Sequence, residues 1–119
     1  MKYLLDTCVL LWFLEENKKQ LGPFLEWIED PNNEVILSVV NYWEIVIKCS
    51  LGELDLPSDW FQSVENSGFV WLNLEPKHIK QLETLPSYHR DPFDRLLICQ
   101  SLAEQCKLLT RDEKILRYF

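Results

Sequence analysis

Glycine is scarce in this sequence, three residues in 119, and no apolar stretch approaches the roughly 20 residues needed to cross a bilayer. The first lack leaves no room for flexible linkers or low-complexity segments. The second excludes a transmembrane helix. Basic residues are also in deficit: twelve Lys and Arg against nineteen Asp and Glu give a net charge of −7. That balance argues against a module that grips nucleic acid through a basic surface. A nuclease that holds phosphate through bound divalent cations and a few local arginines escapes the argument, because a metal neutralises charge where the phosphate sits. The acidity equally suits a basic protein partner.

Paired cysteine motifs are missing too. Cys8, Cys49, Cys99 and Cys106 include no Cys-x-x-Cys, so neither a zinc site nor a disulfide framework is expected. They read as small core residues in a reducing compartment. The N-terminus runs from Met1-Lys2 straight into a strand-like run, without an apolar signal core, and a cytoplasmic protein with no membrane attachment is expected. What is plentiful is core material, with 47% hydrophobic and 13% aromatic residues. A single domain over residues 1–119 follows.

Along the chain, strand and helix patterns alternate. Lys2 to Leu5 is a short apolar run followed by Asp6, and Thr7 to Leu14 favours helix. Gln20 to Glu29 carries Leu21, Phe24, Leu25 and Ile28 at helical spacing, then Asp30-Pro31-Asn32-Asn33 makes a turn. Glu34 to Ser38 reads as strand, Val39 to Ser50 as an apolar helix, and Pro57-Ser58-Asp59 opens another. Phe69 to Leu74 alternates like a strand, Pro76 to Leu85 returns to helical spacing, and Asp91 to Gln105 is a long helix. Lys107 to Thr110 is a last strand, with a helical turn after Asp112. This order predicts an α/β fold whose parallel sheet of four or five strands is flanked by helices on both faces. Ligands of such sheets gather beyond the carboxyl ends of the strands, where Asp6 and Asp112 fall.

Four acids stand out, and each has an ordinary explanation. Asp6 and Asp112 sit where a helix N-cap is wanted. Glu44 shares a narrow polar stripe with Asn41 and Lys48 on an otherwise apolar helix; it is either a solvent-facing Glu44–Lys48 pair or a stripe facing a polar cavity. In His89-Arg90-Asp91-Pro92-Phe93-Asp94-Arg95, Asp91 is a natural cap with Pro92 at the first helical position. Asp94 is then less needed for capping and is the better ligand candidate. His78 and His89 have no metal-type spacing to a partner, and His89 reads as a surface or substrate-contact residue.

Four segments in order, LLDTCVLLWF, SVVNYWEIVIKCSLGELDLP, LPSYHRDPFDRLLICQSL and LLTRDEKI, resemble PIN-domain ribonucleases, specifically the toxins of VapBC-type toxin–antitoxin pairs. The resemblance covers nearly the whole chain. It implies that the family's acidic residues fall on Asp6, Glu44, Asp94 and Asp112, acting with Mg²⁺ or Mn²⁺ on single-stranded RNA. It also implies a small antitoxin with a basic tail. Asp91 would then be a supporting or capping residue, as would Thr7 and Thr110.

The chemistry is coherent with that set. Phosphodiester hydrolysis needs an activated water and stabilised charge on the transition state, which hard divalent cations held by a few carboxylates provide. Two carboxylates about 4 Å apart repel by roughly 4 kcal/mol at an effective dielectric near 20. Four together require a cation, raised pKa values or a basic side chain. Asp6 and Asp94 are expected to hold the principal ion, with Glu44 and Asp112 orienting waters or completing a second position. Lys48, Arg90, Arg95 and Arg111 are candidates for RNA phosphate contact. Trp12-Phe13, Phe24 and Trp27 suggest an aromatic patch on the first helices for an antitoxin segment or a homodimer. Two rivals stand beside this reading: a receiver-like Mg²⁺-binding signalling domain, and a PIN-like interaction module without turnover.

Overall fold

The computed structural model describes residues 1–119. The chain runs β1 (Lys2–Leu5), α1 (Thr7–Leu14), α2 (Lys18–Leu21), α3 (Phe24–Glu29), β2 (Glu34–Ser38), α4 (Val39–Ser50), α5 (Trp60–Asn66) and β3 (Val70–Leu72). It continues through α6 (Pro76–Lys80), a 3-10 turn at Gln81–Glu83, α7 (Pro92–Glu104), β4 (Lys107–Leu109) and α8 (Glu113–Leu116). The strands form one four-stranded sheet in the order β3-β2-β1-β4, every neighbouring pair parallel. No fifth strand forms.

The period-two alternation of the strands divides the core. Tyr3, Leu5, Val35, Leu37 and Leu109 face one layer, with Val9, Leu10, Leu21, Ile45 and Val64. Leu4, Ile36 and Leu108 face the other, with Val40, Leu96, Leu97, Ile98 and Ile115. Both faces of the sheet are therefore covered by helices, as parallel sheets require. No helix is long and apolar enough to cross a membrane.

Four sequence expectations need adjusting. The single helix over 20–29 is two short ones, because Gly22 adopts φ +53° and Pro23 follows it. The strand over 69–74 shortens to Val70–Leu72, and the helix over 76–85 finishes as a 3-10 turn. The aromatic patch also lies elsewhere. Phe13 packs on Phe69 and Trp27 stacks on Tyr3, with centroids 5.3 and 5.8 Å apart, so these rings roof the sheet and are half-buried. Among the exposed apolar side chains, Tyr42, Trp43 and Val46 lie together on α4.

β1 is the strand where the topology turns. From it the chain builds outward to β2 and β3 on one side, then returns to place β4 on the other. The segments after β1 and β4 thus emerge side by side, at the switch point where such sheets open a crevice.

Candidate active site

Each acid reaches that crevice for a local reason. Asp6 extends the ladder of β1 by donating its N–H to the Leu109 carbonyl (3.1 Å), while its Oδ1 caps α1 by accepting from Val9 N–H (2.7 Å). Asp112 plays the same part after β4. Its N–H donates to Thr110 Oγ1 (3.0 Å) and its Oδ1 caps α8 through Lys114 N–H (2.8 Å). In both cases capping fixes the carboxylate at the strand end without removing it from the crevice.

Glu44 lies on the inward face of α4. Ser38 caps that helix, and Asn41 reaches back to accept from Ser38 N–H (2.9 Å). The fully buried Asn41 amide donates to the Leu5 carbonyl and to Thr7 Oγ1, each at 3.1 Å. Thr7 Oγ1 in turn donates to Glu44 Oε1 (2.6 Å), and Lys48 Nζ meets Glu44 Oε2 at 2.7 Å. Glu44 and Lys48 of the polar stripe therefore line the cavity while Asn41 is buried beneath it, and both Glu44 oxygens are engaged.

On α7 the division of labour between two aspartates is as expected. Asp91 Oδ1 accepts from Asp94 N–H (3.0 Å) as the N-cap. That leaves the Asp94 carboxylate to face inward, where its Oδ2 meets His89 Nε2 at 2.9 Å. The same imidazole nitrogen lies 3.4 Å from Asp112 Oδ2.

Asp6, Glu44, Asp91, Asp94 and Asp112 line one cavity of about 320 Å³ together with Thr7, Cys8, Lys48 and Arg111. Side chains separated widely along the chain meet there. Burial, reinforced by Asp112 and Glu44, raises Asp6 from its ordinary 3.8 to about 6, against the opposing pull of Thr110 and Val9 N–H. Burial, then the charges of Asp91 and Glu44, raise Asp94 to about 6, with His89 working the other way. The hydrogen bond to Glu44 raises Lys48. Although part of Cys8 is open to solvent, desolvation of its thiol and then Asp6, Asp94 and Glu44 push it up to about 11. It stays a thiol at neutral pH.

The basic candidates separate by position. Arg111 lines the cavity, its guanidinium 5.5 Å from the Phe24 ring. Gly22 permits this seat, since a Cβ there would stand 2.5 Å from Arg111 Nη2. Lys48 also lines the cavity but is paired with Glu44. Arg90 is exposed and lies outside the lining. Arg95 lies outside it as well, and its guanidinium donates to the carbonyls of Pro86 (3.0 Å), His89 (3.1 Å) and Leu85 (3.4 Å). Its observed job is to clamp that loop. His89 is the residue that spacing arguments passed over. Its only sequence signal is the charge density of HRDPFDR, because its second partner, Asp112, arrives from β4.

Comparison with known families decides the identity of this arrangement: the sequence model of the PIN domain matches residues 3–118. The chain belongs to the PIN-domain family. Among solved structures, this PIN domain is similar to VapBC2 from Rickettsia felis, crystallised bound to a DNA fragment from their promoter. The TM-score is 0.75, over 99% of this chain and 93% of that one, at 17% sequence identity. At that identity the likeness speaks for the fold of the PIN domain. Comparison with curated proteins gives no match.

Proposed function

We propose that this PIN domain is a divalent-cation-dependent endonuclease of single-stranded RNA, the toxin of a type II toxin–antitoxin pair, working in the cytoplasm. One observation carries the reading: Asp6, Glu44, Asp94 and Asp112 converge on a single cavity at the switch point of a PIN fold.

The donor set fits Mg²⁺ or Mn²⁺. Carboxylate oxygens are the ligands that hard cations prefer, and two of the four acids have pKa values raised to about 6, by burial first and then by neighbouring carboxylates. Crowding of this kind is what a cation relieves. When bound, such an ion supplies charge stabilisation for the phosphoryl transition state and eases deprotonation of water.

The chain's own residues hold the parts in place. Asp6 and Asp94 hold the principal ion, and Glu44 and Asp112 orient the waters of the site or complete a second position. Thr7 and Thr110 fix the acids beside them, and Asp91 fixes the start of α7. Arg111 stands at the rim for a substrate phosphate, with Lys48 available once it leaves Glu44 and Arg90 on the open flank. Arg95 serves the site through the loop it clamps.

The similar solved structure is VapBC2 bound to a DNA fragment from their promoter, which favours an antitoxin partner here. A small antitoxin with a basic tail matches the charge of −7 and the acidic cavity, and a homodimer completes the proposed assembly. Size-exclusion chromatography with light scattering tests the latter; a monomer at all concentrations contradicts it. The receiver-like alternative is set aside, because the sheet order β3-β2-β1-β4 differs from the 2-1-3-4-5 order of flavodoxin-like receivers. A module without turnover is separated by incubating single-stranded and duplex RNA with protein and Mn²⁺. Cutting of the single strand alone supports the proposal, and intact RNA throughout contradicts it.

A further inference from the structure

His89 is held in place by more contacts than a surface residue needs. Its N–H donates to Tyr118 Oη (3.0 Å) and its carbonyl accepts from Arg95 Nη1 (3.1 Å). The same guanidinium and the Tyr118 hydroxyl both donate to the Pro86 carbonyl. The imidazole so anchored is 12% exposed and sets Nε2 2.9 Å from Asp94 Oδ2 and 3.4 Å from Asp112 Oδ2.

We propose that His89 is a nitrogen ligand of a cation seat it shares with Asp94 and Asp112, and that it biases this seat toward first-row transition cations over Mg²⁺. The inference rests on the metal-nuclease reading above and adds a residue to it.

The spacing supports the assignment. The three donor atoms lie within 4.8 Å of one another. Around an octahedral ion with bonds near 2.1 Å, adjacent donors stand about 3 Å apart, and around a tetrahedral one with similar bonds about 3.4 Å. The separations from Nε2 to Asp94 (2.9 Å) and to Asp112 (3.4 Å) lie near the octahedral and the tetrahedral edge respectively. An ordinary imidazole–carboxylate hydrogen bond accounts for the contact with Asp94 alone. A second carboxylate, carried by a different element, approaches the same nitrogen at 3.4 Å, the convergence a shared cation would exploit.

The proton balance is modest. With the single imidazole proton on Nε2 it donates to Asp94, and Nδ1 accepts from Asp91 N–H at 3.4 Å. Coordination through Nε2 would need the other tautomer, with that same proton on Nδ1, so both hydrogen bonds are given up: the Asp94 contact is replaced by the shared ion, and the Asp91 one has a length at which such bonds are weak. Imidazole is a softer donor than carboxylate or water, so it discriminates against Mg²⁺.

Pulsed electron paramagnetic resonance of Mn²⁺ bound to the full chain tests this without RNA. The parent protein is expected to show ¹⁴N modulation from a coordinated imidazole. In His89→Gln that signal is lost, Mn²⁺ affinity by calorimetry falls about tenfold and Mg²⁺ affinity changes far less. Bound Mn²⁺ without nitrogen coupling in the parent overturns the inference while leaving the nuclease reading intact. A His89→Gln protein that binds Mn²⁺ as tightly or more tightly also overturns it, since the imidazole would then merely fill the gap between two acids. If the parent binds no divalent cation at all, the metal-nuclease reading fails with it.

Discussion

Thr7 Oγ1 donates to Glu44 Oε1 at 2.6 Å, joining the start of α1 to the middle of α4 across 37 residues of sequence. The same hydroxyl oxygen accepts from Asn41 Nδ2. One small side chain thus satisfies a buried amide and aims a carboxylate into the cavity.

Replacing Thr7 with valine keeps the shape and removes the hydroxyl. The Asn41 amide loses an acceptor and Glu44 a donor, so chemical denaturation should show a loss of about 1 to 3 kcal/mol. Divalent-cation affinity should fall as well. Unchanged stability in Thr7→Val would show that water replaces the hydroxyl.

The pH dependence of stability follows from the two raised carboxyls. Asp6 is lifted from 3.8 to about 6, and Asp94 also to about 6. In each, the fold disfavours the ionised form, so the stabilisation is complete below about pH 4 and is lost as pH rises through 6. For Asp6 the loss is on the order of 3 kcal/mol. In chelator, urea midpoints should therefore decline between pH 4 and 7, and Mn²⁺ should recover more at pH 8 than at pH 5. Asp6→Asn keeps a good N-cap and should be more stable than the parent at pH 8 without metal. A variant less stable there would mean that the Asp6 charge is not a burden.

The two arginines beside the site should behave differently. Arg111→Ala should weaken RNA binding and leave the melting temperature nearly unchanged, because the side chain is exposed. Arg95→Ala removes the donor from the His89 and Leu85 carbonyls and leaves Pro86 to Tyr118 Oη alone; it should cost about 1 to 3 kcal/mol, with reduced cleavage following from a loosened His89 loop. Equal effects of the two on stability would contradict this division.

Gly22→Ala tests the seat of Arg111. The position has φ +53° and an added Cβ would meet Nη2 at 2.5 Å, so about 1 kcal/mol or more of destabilisation is expected from backbone strain. Cleavage should drop with the displaced guanidinium. Parent-like behaviour would show that Arg111 moves aside freely.

Much of this was legible in the residues. The strand–helix order, with apolar runs in YLL and EVIL, pointed to a parallel sheet covered on both faces, and the Asn41–Glu44–Lys48 stripe left two readings open, a solvent-facing pair or a polar cavity. The split at Gly22-Pro23 was written in two helix-breaking residues but masked by the apolar spacing around them. His89 and Cys8 were not legible as parts of the site. Their neighbours come from α4, α7 and the segment after β4, and no local pattern reports a contact made by the closing of the sheet. The exposed α4 aromatics were missed because exposure depends on what packs above a ring, which composition does not tell.

The central claim is that carboxylates from four places in the chain act as one metal-dependent cutting site, and end-labelled single-stranded RNA tests it most directly. The account predicts cleavage with Mg²⁺ or Mn²⁺, arrest by chelator, recovery on adding the ion back, and a folded but inactive Asp94→Asn protein. Cleavage that persists under chelator, or at full rate in Asp94→Asn, would contradict it.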